Sequence, residues 1–294
     1  MIHKAFILGA GLGTRLRPLT NLLPKPLVPI FHEPMANYAL RHCQSAGISE
    51  FAINTHHLPE AWQKAYPNGE FAGSPLHFFH EDILLETGGG IQNIASFIGD
   101  DPLLIYNGDI LTDIDINQLI RAHQQSGNVA TLALRSSGEN CNVSISGDKV
   151  SDMRNILSKA PGTHQFTGIY CIQPEILQLI PAGEVVSVVP AFIELIKNNQ
   201  LGAVVLDEGD WFDIGNPVAY REIHAHLKTT RHDAIHPEAL IHPEASVCTN
   251  TCIIGPGAQI SADADLKNTI VWPGVDVSAG TQADGQILTG EINH

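Results

Sequence analysis

The sequence predicts an α/β sandwich on a mixed, mostly parallel sheet, followed by a short left-handed parallel β-helix. Three observations predict it. Short β-type runs alternate with helical stretches up to about residue 228, the pattern of a sheet covered by helices. A glycine-rich segment directly follows the first run. Beyond residue 235, apolar residues recur about every six positions, as in hexapeptide-repeat coils. The expected organisation is a domain over 1–228, a linker over 229–234 and a coil domain over 235–294.

The elements follow in order. KAFIL (4–8) is a short apolar run that stops at glycines, and PMANYALRHCQSAG (34–47) reads as a helix opened by Pro and closed by Gly. FAINTHH (51–57), LHFFHE (76–81), LLIYNGD (103–109) and VATLALR (129–135) are further strands. GGIQNIASFIG (89–99) and INQLIRAHQQSG (116–127) are helical by spacing. NVSISGDKVSDM (142–153) carries a Gly-Asp turn between two runs, a hairpin signal. FTGIYCI (166–172), GAVVLDEG (202–209) and WFDIG (211–215) add late strands, and PVAYREIHAHLK (217–228) is a closing helix.

In the coil region, pairs four residues apart begin at Ile235, Ile241 and Val247. After one inserted residue they resume at Ile254, Ile260 and Leu266. After one lost residue they resume at Val271, Val277 and Ala283. Nine hexads make about three triangular coils, and IHPEA occurs twice, at 235–239 and 241–245. Solenoid ends need covering, so self-association through this region into a homo-oligomer is expected.

Lys and Arg number 16 against 31 Asp and Glu, a net charge of −15. That argues against a nucleic-acid partner, which needs a basic face. No apolar run approaches the ~20 residues that span a bilayer, so no membrane partner is expected. Five scattered cysteines read as reduced thiols of a cytoplasmic protein. Residues 1–32 depart from this balance. They hold Lys4, Arg15, Arg17 and Lys25 and no acid before Glu33, so an anion can be held there despite the net charge.

LGAGLGTRLRPLT (8–20) lies inside that stretch. Gly9, Gly11 and Gly13, with Ala10 and Thr14, offer backbone N–H groups that can approach phosphate closely. Arg15 can fork onto a phosphate, and Lys25 is clamped between prolines in LPKPLVP. A dinucleotide site is disfavoured. Thr14 stands where that fingerprint needs a third small residue, and the second strand ends Asn54-Thr55-His56-His57 with no acid for a ribose.

Two strand ends carry acids, Asp109 in YNGDI and Asp213 in WFDIGNP. Each alone suits a turn or a cap. Two carboxylates at one sheet edge can also share a Mg²⁺ that takes phosphate oxygens and water as further ligands.

These motifs together resemble the sugar-1-phosphate nucleotidylyltransferase family, over the whole of 1–228. Its signature is LAGGxGTRLxPLT with a PKP turn, and here Gly9-Ala10 replaces Ala-Gly. The resemblance implies a Rossmann-like nucleotidyltransferase sandwich, an NTP and a sugar-1-phosphate as substrates, and Mg²⁺. It implies that Arg15 and Lys25 neutralise phosphate, and that Asp109 and Asp213, in NGD and WxDIGTP contexts, hold the metal. Asn107 and Gly108 would line the same edge.

HEDILLETGGGI (80–91) is similar to the family's nucleobase segment, with Glu86 for the common Gly and Thr87, Gly88 and Gly89 matching. Glu81 is a further base candidate. On the sugar side Thr167 and Gly168 match a sugar-contacting strand, whereas Ser151 to Asn155 lack the family's E-K-P motif. LETxGGI is the form seen in N-acetylmuramate-1-phosphate uridylyltransferases, and the coil tail is closer to mannose-1-phosphate guanylyltransferases, which leaves the sugar and base open.

Fifteen histidines, including His232, His236 and His242, show no structural-zinc spacing. Two other classes fit parts of the chain. One is a catalytically silent nucleotide-sugar sensor or scaffold, which the joint presence of Arg15, Lys25, Asp109 and Asp213 disfavours. The other is a hexapeptide-repeat acyltransferase, for which three coils are few.

Overall fold

A computed structural model describes residues 2–159, 161–231 and 233–290. His232 and the last four residues of the expected coil domain lie outside the described residues. The chain forms two compact units. The first comprises Met1–Leu12, Pro24–Pro26 and Ala36–Asp213; the second comprises Gly13–Leu23, Leu27–Met35 and Ile214–His294. This division differs from the expected boundary at 228. Its cause is hydrogen bonding and packing inside the second unit, given below.

The first unit is built on a ten-stranded sheet. From one edge to the other its strands begin at Cys141, Lys149, Leu201, Ala130, His164, Leu103, Lys4, Glu50, Ser74 and Glu70. Lys4–Leu8 lies between two parallel neighbours, Glu50–Thr55 and Leu103–Asn107. A strand covered on both faces by helices has to be apolar where it is covered, and residues 5–8 and 103–106 are so.

One central strand breaks the parallel pattern. His164–Ile172 runs antiparallel to both Leu103–Asn107 and Ala130–Arg135. Its Ile169 pairs with Tyr106, so Thr167 and Gly168 come to the carboxyl edge of the parallel strands. The hairpin Cys141–Ser146 to Lys149–Met153 forms at one edge as expected.

The helix Ile116–Ser126 is capped by Asp115, which accepts from the Asn117 N–H at 3.1 Å, and it ends at Gly127 in the left-handed region. The expected helix over 89–99 is two pieces, Glu86–Asn93 and Ala95–Ile98. A helix at Val189–Lys197 was not anticipated. It buries Phe192 and Leu195 in the core with Phe6, Ile105, Leu132 and Tyr170.

In the second unit the helix Pro217–Thr230 starts at Asn216, whose side chain accepts from the N–H groups of Val218 and Ala219. The Tyr220 hydroxyl donates to the Pro29 carbonyl at 2.7 Å and accepts from the Trp272 indole at 3.0 Å. His224 accepts from the Phe31 N–H at 3.0 Å. The short hairpin at 29–34, this helix and the coils are thereby joined.

The coils form three parallel ladders. Leu240–Ile241, Gln259–Ile260 and Asp276–Val277 make one; Ser246–Val247, Asp265–Lys267 and Gln282–Asp284 the second; Ile253–Ile254, Ile270–Val271 and Ile287–Leu288 the third. Ile241 pairs with Ile260, 19 residues on, and Ile260 with Val277, 17 residues on. The inserted and the lost residue of the sequence pattern are thus both accommodated between rungs. Among the described residues, no helix is long and apolar enough to cross a membrane.

Candidate active site

The Gly108-Asp109 turn joins two strands, Leu103–Asn107 and Ile110–Thr112. Gly108 is required there by close approach. A Cβ on it would stand 2.7 Å from the Leu8 carbonyl oxygen, to which its own N–H donates at 3.1 Å. Ile110–Thr112 pairs antiparallel with Trp211–Asp213, placing Asp213 opposite Ile110. The late strand is fixed on two sides. The Trp211 indole donates to the Thr167 carbonyl at 3.0 Å, and the Thr112 hydroxyl donates to the Asp210 carbonyl at 2.5 Å. Two acids 104 residues apart in sequence are in this way carried to one place.

Lys25 lies between them. It opens the short 3₁₀ turn Lys25–Leu27, and its buried side chain reaches the Asp109 carboxylate at 2.5 Å and the Asp213 carboxylate at 4.0 Å. The proline on either side limits the backbone, so the ammonium is held in place rather than free to search.

Two cavities in the first unit share Thr87, Asn107, Asp109, Arg154 and Ser187 in their walls. One, of about 450 Å³, is bounded by Ala10, Gly11, Lys25, Asn54 and Glu86. The other, of about 340 Å³, is bounded by Asn142, Gln165, Tyr170, Phe192, Trp211 and Asp213. Asp109 stands at the junction.

The glycine segment differs from expectation. The Gly9 N–H donates to the Asn54 side-chain oxygen at 2.7 Å, and the Ala10 N–H reaches the same atom at 3.3 Å. A Cβ at Gly9 would meet the Asn54 carbonyl at 2.7 Å. These two N–H groups face the protein, and Gly11 is the exposed member of the segment that lines the cavity. Gly13, Thr14 and Arg15 fall in the second unit. Arg15 is exposed in the turn Thr14–Leu16, and the Gly13 carbonyl accepts from the Leu16 N–H and the Thr20 hydroxyl.

Glu81, the further base candidate, lies deep in the first unit. It is 2% exposed. One carboxylate oxygen accepts from Asn54 Nδ2 at 2.7 Å and the other from the Leu85 N–H at 2.9 Å. Both oxygens are thus engaged by the protein.

Gly88 and Gly89 are buried as well. Added Cβ atoms would stand 2.8 Å from the Val186 carbonyl oxygen and 2.5 Å from that of Glu184. Their size lets the chain at 184–187 cross the helix Glu86–Asn93. Thr87 lines both cavities, and its hydroxyl accepts from the Val188 N–H at 3.0 Å. It lies inside that helix rather than capping it.

On the other side, Asn107, Thr167 and Gly168 line the smaller cavity. The Thr167 hydroxyl is spent on the Ala133 carbonyl at 2.8 Å. Gly168, at φ +80°, makes room for the Asn107 amide, which a Cβ would approach to 2.7 Å.

Sequence reasoning missed Asn54, Arg154 and Ser187. Arg154 follows the hairpin in the left-handed region, φ +55°. Asp152 shapes the loop that carries it by accepting from the N–H groups of Met153, Leu157 and Lys159 at 2.7, 3.1 and 3.0 Å. Burial works against its ionisation, but these donors outweigh it and hold the carboxyl below its ordinary range.

Residues 4–230 match the nucleotidyl transferase family, and the chain belongs to that family. This bears out the resemblance carried by the glycine segment and the enzyme class it implies. Among curated relatives, a mannose-1-phosphate guanylyltransferase of Mycobacterium tuberculosis is 29% identical over 290 residues, covering 97% of this chain and 79% of the relative. An N-acetylmuramate alpha-1-phosphate uridylyltransferase of Neisseria meningitidis is 30% identical over 226 residues, covering 76% of this chain and 97% of the relative. A solved UDP-glucose pyrophosphorylase complexed with UDP-glucose superposes with a TM-score of 0.67 at 21% identity, covering 79% of this chain and all of that one. It shows the shared fold.

Proposed function

We propose that this protein makes an NDP-sugar and pyrophosphate from an NTP and a sugar-1-phosphate. The observation that carries the reading is Lys25 bridging Asp109 and Asp213 where two cavities meet. The larger cavity, beside Gly11 and Lys25, takes the nucleotide. The smaller, beside Asn107 and Gly168, takes the sugar.

The reaction joins an oxygen of the sugar phosphate to the α-phosphorus and breaks the bond to the β-phosphate oxygen. The attacking oxygen is already an anion, so no residue has to remove a proton. The chain's task is to bring two polyanions into line and to neutralise their charge. Lys25 supplies a fixed positive charge at the junction, with Arg154 in the wall of both cavities. Arg15 is proposed as a further phosphate contact on the strength of the family motif.

The donor set also fits a divalent cation. Two carboxylates offer hard oxygen ligands. Among the described residues no third His, Cys, Asp or Glu joins them, which suits Mg²⁺, a metal that typically takes one or two carboxylates with water and phosphate. Asp109 and Asp213 would hold it, and it would supply Lewis-acid neutralisation of phosphate charge. We also propose that residues 235–289 mediate homo-oligomer formation.

A screen of four NTPs against a panel of sugar-1-phosphates, read by pyrophosphate release, tests the activity. Release that needs both substrates is expected. No release with any pair, from folded protein with Mg²⁺, overturns the reading.

A further inference from the structure

Two walls of the larger cavity are tied together by one buried pair of side chains. Asn54 is 3% exposed, stands near the carboxyl end of Glu50–Thr55 and lines the cavity. Its oxygen accepts from the Gly9 and Ala10 N–H groups at 2.7 and 3.3 Å. Its amide donates to Glu81 Oε1 at 2.7 Å, and Glu81 Oε2 accepts from the Leu85 N–H at 2.9 Å. One end of this link holds the segment of Ala10 and Gly11. The other end holds the segment of Leu84, Glu86 and Thr87, and all five residues line the cavity.

The sheet explains why Asn54 can do this. The two segments follow Lys4–Leu8 and Ser74–His80, and the strand carrying Asn54 lies between those two, parallel to both. The chemistry of the link admits one arrangement. Backbone N–H groups donate at both ends, so Asn54 turns its oxygen to Gly9 and its amide to Glu81, and Glu81 accepts on both oxygens. A Gln in place of Glu81 could accept from only one of the two donors. The Glu81 backbone is anchored as well, its N–H donating to the Thr55 carbonyl and its carbonyl accepting from His56 Nδ1, both at 2.8 Å. The helix Glu86–Asn93 leaves room for the link at Gly90, where a Cβ would stand 3.0 Å from Asn54 Nδ2 and 3.2 Å from Glu81 Oε1.

Resting on the functional reading above, we propose that Asn54 and Glu81 are positioning residues for the nucleotide, holding the glycine segment and the 84–87 segment in one register so that the two ends of the nucleotide are gripped together. Neither has to touch the reacting atoms. Their effect is on how well the nucleotide is held, and the smaller cavity is left as it is.

The test uses the full-length protein with the NTP and sugar-1-phosphate that give the fastest pyrophosphate release. Asn54→Asp keeps the oxygen for Gly9 and Ala10 but sets an acceptor against Glu81. Glu81→Gln sets a donor against Asn54 or Leu85. The two changes combined restore every bond, because the new amide donates to the new carboxylate and its own oxygen accepts from Leu85. Each single variant is expected to raise the nucleotide KM about 10-fold and to leave the sugar-phosphate KM within about 2-fold of wild type. The double variant is expected to return to within about 3-fold of the wild-type nucleotide KM. Gly90→Ala crowds the link without changing its chemistry and is expected to raise the nucleotide KM about 3-fold. It carries the test if circular dichroism shows that the single variants do not fold. A wild-type nucleotide KM in the folded single variants, or in Gly90→Ala, overturns the inference and leaves the functional reading standing. So does an equal rise for both substrates, or a double variant no better than either single one. No pyrophosphate release from wild type with any substrate pair overturns the functional reading itself, and the inference falls with it.

Discussion

Asp109 sits in the turn before Ile110–Thr112 and Asp213 ends Trp211–Asp213, and they come together only because those two strands pair. Replacing either with Asn is nearly isosteric and removes one negative oxygen. Each variant is expected to fold, by circular dichroism, and to lose about 100-fold or more in Mg²⁺-dependent turnover, the scale of a lost electrostatic contact to a transferring group. Near wild-type turnover in either would sink the metal assignment. At this scale the motifs singled out Lys25 and these acids, and the fold does bring the three side chains together. The sequence was not legible where function depends on which way a side chain faces. Glu81 and Thr167 stand at motif positions, yet both side chains are turned inward and hydrogen-bonded to the protein. Asn54 was visible as the absence of a ribose-binding acid. Its grip on the Gly9 and Ala10 N–H groups depends on a parallel register that composition alone does not reveal.

The helix Glu86–Asn93 shows what an element needs from its neighbours. A side chain at Gly88 would collide with backbone at 186–187, not with a flexible side-chain end. Gly88→Val is therefore expected to destabilise the fold by about 1–3 kcal/mol or more. Thermal denaturation reads this as a drop in Tm, and an unchanged Tm would refute the close packing. Most strands and helices followed from their patterns, because alternating apolar runs and capping residues are local signals. The antiparallel course of His164–Ile172 did not follow, since strand direction is fixed by partners far away in sequence. The helix Val189–Lys197 was missed although Pro190 stands in its first turn and its apolar residues recur with helical spacing.

For the molecule as a whole, two buried histidines set an acid limit. Burial lowers both His123 and His224 to about 4. Each is built into hydrogen bonds that use a neutral ring. His123 joins Thr131 and Gln173, and His224 accepts from Phe31. The unfolded chain takes up these protons near pH 6.5 while the folded chain resists until about pH 4. Stability is therefore full above about 6.5 and falls as pH drops toward 4, by up to about 1.4 kcal/mol per pH unit for each group. Denaturation curves between pH 7 and 4.5 check this, and a flat profile counts against it. The coils carry a second prediction. Leu240 and Ile241, on the first rung, are 64% and 37% exposed, whereas Ile260 on the next rung is buried. Changing Leu240 and Ile241 to Asp should lower the oligomeric state seen by light scattering and leave the Tm nearly unchanged. An unchanged mass would move the association elsewhere. The coil period was readable because apolar or small residues recur at the same ladder positions, as Ile241, Ile260 and Val277 do. The grouping of residues 27–35 with the coils was not, because Tyr220 reaches Pro29 across 191 residues.

Lys25 has one more consequence, for the order in which ligands arrive. With its ammonium against Asp109 and near Asp213, it serves as a resident counter-ion for two carboxylates that would otherwise repel each other. A free divalent cation has to compete with it. A triphosphate changes the contest, since its oxygens give the ammonium another anion to follow and free both carboxylates at once. On the proposed function the two ligands are expected to be interlocked, each easing the entry of the other. Calorimetric titration with Mg²⁺ should show much tighter binding with a nucleotide present than without; in Lys25→Met the affinity without nucleotide should rise. Equal affinity in wild type under both conditions would show that the ammonium guards nothing.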